Sequence, residues 1–138
     1  MIHSDPMDTK KIFNIVAAFI YEQNRFLICQ RPKTKARALL WEFAGGKVEQ
    51  GESHIQALKR ECMEELAIEV EPSGLFYQNS HEYEDIIVNL FIYHTKIIKG
   101  PVQKLEHEDI RWISSEEIDN YAFCLADKEV LEIIKQNY

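Results

Sequence analysis

Three carboxylates and a guanidinium crowd into the run Arg60-Glu61-Cys62-Met63-Glu64-Glu65, a short way behind the pair Gly45-Gly46. Ser53 and Gln56 have the types and spacing of a capping box, so a helix is predicted to begin there and to carry the acidic run. At about 100° per residue, Ile55, Leu58, Cys62 and Leu66 share one stripe, while Glu61, Glu64 and Glu65 share an adjoining arc of roughly 100°. Glu61 and Glu65 stand at i,i+4, where like charges cost roughly a few tenths of a kcal/mol in an isolated helix. Such repulsion asks for a cation. The donors are hard oxygens with no His or Cys at ligand spacing, which favours Mg²⁺ or Mn²⁺ over Zn²⁺. A solvated acidic face is the plainer alternative, and the commoner meaning of a glutamate run. Gly45 and Gly46 would let backbone approach a phosphate or a metal closely; otherwise they mark a simple turn.

The elements that must position these groups follow from pattern and punctuation. Phe13 to Tyr21 and Arg25 to Gln30 are rich in Val, Ile and Phe and are joined by Glu22-Gln23-Asn24, which predicts a hairpin. Arg31 to Leu40 is a loop with Pro32 and four cations, Arg31, Lys33, Lys35 and Arg37; Trp41 to Ala44 is a short extended piece leading into the glycines. After the acidic helix come a strand near Ile68 to Val70, a Pro72-Ser73-Gly74 turn, and extended segments over Leu75 to Tyr83 and Ile86 to Ile98. In the last of these, Val88, Leu90, Ile92 and His94 share one face, with Asn89, Phe91 and Tyr93 on the other. A strand over Asp109 to Ile113, a short helix from Ser114, and an amphipathic helix over Asp127 to Lys135 complete the chain. Strands and helices mixed in this way predict an α+β fold with a mixed sheet. Residues 1–9 are polar and carry Pro6, which predicts a loose lead-in.

Composition bounds the partners. The chain has 138 residues, 46% of them hydrophobic, enough for one sizeable core and one domain. A formal charge of −7 argues against a nucleic-acid polymer but not against a nucleotide, since a metal can supply positive charge locally. Cys29, Cys62 and Cys124 are odd in number, lie in apolar surroundings, and read as reduced core residues. No leader pattern and no apolar run of membrane-spanning length is present, so a cytoplasmic protein is expected, as a monomer or homodimer.

The spacing G-x5-E-x7-R-E-x2-E-E, from Gly46 through Glu52 to Glu65, resembles the signature of the Nudix hydrolases. With this chain's own Gly, Arg and Glu usage, an accidental match has a probability on the order of 10⁻⁵ to 10⁻⁴. The family usually continues with x-Gly-aliphatic, where Leu66-Ala67-Ile68 has an alanine, small but less at ease at positive φ. The likeness extends from about Lys11 to Lys135, and Leu40 to Glu49 is similar to the MutT-like members, its CTP-cleaving ones above all. It implies an α/β/α sandwich with the box helix against a mixed sheet. It also implies a Mg²⁺-dependent (deoxy)nucleoside triphosphate pyrophosphohydrolase, acting on a small-molecule nucleotide to sanitise non-standard or oxidised species such as cytosine nucleotides or 8-oxo-dGTP. Hydrolysis of another diphosphate-linked compound such as ADP-ribose, or a non-catalytic nucleotide-sensing module, are the alternatives.

The same resemblance distributes roles. Metal would be held by Glu61, Glu64, Glu65 and the Gly45 carbonyl, Glu61 would orient or deprotonate water, and Arg60 would hold the box glutamates. Glu52, at the helix start, suits a structural role. Glu106 stands six residues before Trp112, where MutT-like members carry a metal-binding or basic glutamate; with Glu108 close by, it is equally a solvated loop residue. Arg31 falls where such enzymes contact substrate phosphate, a task suited to a guanidinium. Lys33, Lys35 and Arg37 read as solvent-facing charges, with a local rise in phosphate affinity as the alternative. Asp127 falls at a base-reading position and is equally a good N-cap for the last helix. Phe43 flanks the base in this picture, while Trp41 and Trp112 belong to the core.

Overall fold

A computed structural model describes residues 9–138, so the lead-in expected over 1–9 lies, but for Thr9, outside the described residues. Lys11–Glu22 (β1) and Arg25–Gln30 (β2) form the expected hairpin. Gln23 and Asn24 turn it with φ of 51° and 64°, the paired left-handed conformation whose twist matches that of the strands it joins. Trp41–Glu42 (β3) and Gly45–Lys47 (β4) lead to the helix His54–Leu66 (α1). Glu69–Glu82 (β5), Ile86–Lys99 (β6) and Asp109–Ile113 (β7) follow, then 3₁₀ turns at Ser115–Asn120 and Leu125–Asp127 and the helix Lys128–Asn137 (α2). The seven strands form one sheet with the path β3-β2-β1-β6-β5, β4 pairing with β1 and β7 with β2. β1 and β6 run parallel and the other pairs antiparallel, so the sheet is mixed as expected.

Two cores lie on opposite faces of this sheet. Val16, Ala18 and Ile20 of β1, with Leu27 and Cys29 of β2, pack against Leu58, Cys62 and Leu66 of α1. Ala17 and Phe19, with Phe26 and Ile28, pack against Val130, Leu131 and Ile134 of α2. Strict alternation along β1 therefore feeds both layers, which is why its sequence is almost continuously apolar. The result is the α/β/α sandwich. Among the described residues, no helix is long and apolar enough to cross a membrane.

One expected element does not form. The Pro72-Ser73-Gly74 turn is instead part of β5, with a register shift against β6 between Pro72 and Gly74. β5 ends the strand path, and an edge strand tolerates a residue that lacks an N–H and a bulge at glycine.

Helix α1 begins and ends on identifiable devices. The Ser53 Oγ accepts the Gln56 N–H at 3.1 Å, and the Gln56 Oε1 accepts the Ser53 N–H at 2.9 Å. At the other end Ala67 adopts φ 56°, ψ 37°, and its N–H and that of Ile68 close back on the last turn. This is the left-handed C-terminal conformation that glycine adopts without strain. Ala67→Gly is expected to raise stability by about 0.5–1 kcal/mol, relief of the left-handed strain outweighing the extra unfolded-state entropy of glycine, as measured by urea denaturation.

Candidate active site

β1 pairs with β4 at Ile15 to Ala17 and with β2 only at Tyr21 and Glu22. In this region a cavity of about 530 Å³ opens, with Ile15 and Ala17 of β1 and Val88 and Leu90 of β6 in its lining. Glu61, Glu64 and Glu65 of α1, Glu42 of β3, and Glu106 of the loop before β7 give it an acidic wall; Arg31 and Asp127 line it as well.

The acidic helix is braced by one arginine. Arg60 donates from Nε and Nη2 to the two oxygens of Glu52, at 2.6 and 2.9 Å, a bidentate pair. Its Nη1 donates to Glu61 at 2.7 Å and reaches Glu64 at 3.3 Å, and Nη2 also donates to the Lys47 carbonyl at 3.0 Å. Hydrogen bonds from Arg60, then from the Glu49 N–H, hold the Glu52 carboxyl at about 2. Glu52 is thus the fixed end of a strut that runs through Arg60 to Glu61.

Glu65 has a different environment from its neighbours. It is only 8% exposed, whereas Glu64 lies open, and its Oε1 accepts the Gly45 N–H at 3.2 Å. Burial first, and then the adjoining Glu61, push its carboxyl far above the usual carboxylate range. The glycines make this approach possible. A Cβ on Gly45 would strike the Val16 carbonyl of β1, and one on Gly46 would strike the Glu61 carboxylate. Gly45 holds a φ of 156° in strand β4, so the pair is a sterically required passage and not a simple turn.

The other expected residues are placed as follows. Arg31 donates to Glu42 at 3.0 Å and to the Ala36 carbonyl at 2.8 Å while lining the cavity. Glu106 is exposed at the rim; Glu108 is outside the lining, and its N–H donates to the Gln30 carbonyl. Phe43 is buried in the cavity wall, its ring 6.0 Å from that of Phe26. Asp127 is 5% exposed and makes no side-chain cap for α2; it lines the cavity instead, with burial and the nearby Glu42 pushing its carboxyl well up. Lys33 and Lys35 are exposed, Lys35 at the edge of the cavity, while Arg37 is half-buried in its lining, which corrects the solvent-facing expectation for Arg37. Trp41 is core and Trp112 is half-buried against the α1 layer.

Sequence reasoning gave no site role to Glu42, His107 and Tyr83, which line the cavity. Glu42 follows a buried Trp in a strand, so alternation alone could have turned it toward the cavity. His107 puts Nε2 3.7 Å from Glu65 and 4.0 Å from Glu42, and burial followed by the Lys35 and Arg31 charges holds it at about 4, neutral at pH 7. Tyr83 carried no sequence signal.

Among the described residues, no three His, Cys, Asp or Glu side chains converge as a closed metal cage. Arg60 draws Glu61 and Glu64 to itself and Glu65 faces Gly45. The acidic side chains of the lining nonetheless offer a hard oxygen set, and this fits a divalent cation of the Mg²⁺ type.

A mixed sheet between two helices, with an arginine-braced acidic helix under a glycine passage, defines a class. Residues 15–133 match the NUDIX domain, and the chain belongs to the Nudix hydrolase family, whose members generally use divalent metal. It is 40% identical over 122 residues to the CTP pyrophosphohydrolase of Escherichia coli (strain K12), across 88% of this chain and 90% of that one. It is 36% identical over 84 residues to the 8-oxo-dGTP diphosphatase of Proteus vulgaris, across 61% of this chain and 75% of that one. The crystal structure of the MutT protein from Methanosarcina mazei Go1 superposes with a TM-score of 0.82 at 25% identity, covering 92% of this chain and 95% of that one.

The raised carboxyls have a measurable consequence. The folded, metal-free protein keeps protons on Glu65 and Asp127 that the unfolded chain releases at about pH 4–5. The folded state then binds more protons, so these groups make stability fall as pH rises above that range. Thermal denaturation in EDTA is expected to show Tm falling from about pH 5 to about pH 9, with a shallower fall in Glu65→Gln. Parallel curves for the two proteins would exclude Glu65 as the source.

Proposed function

We propose that the chain is a Mg²⁺-dependent (deoxy)nucleoside triphosphate pyrophosphohydrolase that removes non-standard or oxidised nucleotides, with cytosine nucleotides and 8-oxo-dGTP as its candidate substrates. The names of the relatives support this substrate class. The observation that carries it is the pairing, in one cavity, of the braced glutamates of α1 with a buried carboxyl, Asp127. Every glutamate of the box is present, which supports catalysis over nucleotide sensing. We further infer one domain, a cytoplasmic location, and a monomer or homodimer.

Glu61, Glu64, Glu65, the Gly45 carbonyl and Glu106 would hold the metal, with Mn²⁺ able to substitute. Bound there, it would neutralise the non-bridging oxygens and the charge gathering on the departing monophosphate. Arg31, beside Glu42 in the cavity wall, grips phosphate, and Phe43 and Asp127 receive the base. Glu61, fixed by Arg60, orients a water toward the β-phosphorus and takes its proton. The water oxygen bonds to that phosphorus as the bond to the α–β bridging oxygen breaks. Nucleoside monophosphate leaves with the bridging oxygen, and pyrophosphate carries the oxygen of water.

Two outcomes test this with a nucleotide panel in Mg²⁺. Glu61→Gln and Glu64→Gln are expected to lower kcat on the order of 100-fold or more while circular dichroism stays unchanged. Release of no pyrophosphate from any triphosphate by the unaltered protein would overturn the proposal. Asp127→Asn is expected to change the ratio of cytosine to oxopurine turnover by about tenfold, because a carboxyl that can accept or donate becomes an amide of fixed pattern. An unchanged ratio would remove Asp127 from base reading.

A further inference from the structure

Arg37 is set in the loop after β2 with a φ of 57°, a left-handed conformation that arginine seldom adopts. Its guanidinium carbon lies 4.3 Å from the centre of the Tyr83 ring, and its Nη1 donates to Asp85 at 3.0 Å. Tyr83 in turn accepts the Ala126 N–H on its hydroxyl at 2.9 Å. Three separate segments therefore meet at one point of the cavity wall, immediately beside Asp127: the 31–40 loop, the β5–β6 turn and the stretch before α2. Arg37, Tyr83 and Ala126 all line the cavity.

The Tyr83 ring covers one face of this guanidinium and Asp85 takes its Nη1, which together fix the plane. Its second flat face is a surface on which a nucleobase can stack, as guanidinium planes stack on aromatic rings. We propose that the Arg37 guanidinium, backed by Tyr83 and held by Asp85, is the wall on which the nucleobase stacks, with Asp127 addressing the edge of that base. This rests on the nucleotide reading above. Stacking accepts a pyrimidine or a purine, so Arg37 supplies grip and Asp127 supplies choice.

Calorimetry with CMP, with 8-oxo-dGMP and with inorganic tripolyphosphate, each in Mg²⁺, tests it on the full chain and on three variants. Arg37→Ala and Tyr83→Leu are each expected to weaken the monophosphate that the unaltered chain binds by about tenfold. Tripolyphosphate, which has no base, is expected to bind all of them within about twofold. Asp85→Asn alters only the exposed tether and keeps the test open if Tyr83→Leu fails to fold; a loss of about threefold is expected for the monophosphate. Unchanged monophosphate binding in Arg37→Ala overturns the proposal. So does an equal loss for tripolyphosphate, which would make Arg37 a phosphate contact, and so does a parent chain that binds neither monophosphate. A chain that binds a monophosphate through Arg37 but releases pyrophosphate from no triphosphate overturns the proposed function alone.

Discussion

The contact between the Gly45 N–H and the buried Glu65 carboxyl joins the two halves of the molecule. Glu65 belongs to a helix packed on one face of the sheet, while much of the cavity floor belongs to the other face. A carboxylate can pass from one layer to the other only where a strand carries no side chain in its way. Gly45 and Gly46 provide that gap and at the same time pair with β1 through Val16 and Ala17. Any side chain at Gly45 would strike β1 itself, so the loss would reach the sheet as well as the site.

Arg60 solves the second problem, which is crowding. Glu49, Glu52, Glu61 and Glu64 all lie within 4.0 Å of one guanidinium. Exposed ion pairs contribute little to stability, and most of these are partly open to water. Their effect is geometric: a fork of fixed shape decides where Glu61 and Glu64 point. Glu65 lies outside that fork, and burial first, then the adjoining Glu61, keeps a proton on it. The acidic helix thus contains two kinds of carboxyl, one aimed by arginine and one kept neutral by burial.

The helix and the hairpin were legible because each is written in local chemistry: the Ser53/Gln56 capping box, the β-branched run of β1, the residues of the β1–β2 turn. The acidic residues were legible as a set because their spacing is strict. What the pattern could not convey was depth. Glu64 and Glu65 are adjacent and chemically identical, yet one is open and the other is buried, and that difference comes from where β4 crosses the helix. Pro72-Ser73-Gly74 reads as a turn in any sequence, and only its place at the sheet edge lets a strand run through it. Asp127 suits a cap and a recognition site equally by sequence, and its depth in the cavity wall, with no cap bond to α2, has no local signature. Tyr83 and His107 come from loops brought together by the sheet, and no local pattern encodes such a meeting.

The three thiols gain a meaning from where they sit. Cys29, Cys62 and Cys124 are all buried, and burial pushes Cys62 and Cys124 up to about 12, so none offers the thiolate that peroxide attacks. Among the described residues the sulfur that oxidants can reach is the thioether of Met63, 49% exposed on α1 between the glutamates. A sulfoxide there would project into solvent and leave the packed stripe of the helix untouched. Oxidation at Met63 would therefore leave the described core of the helix layer intact.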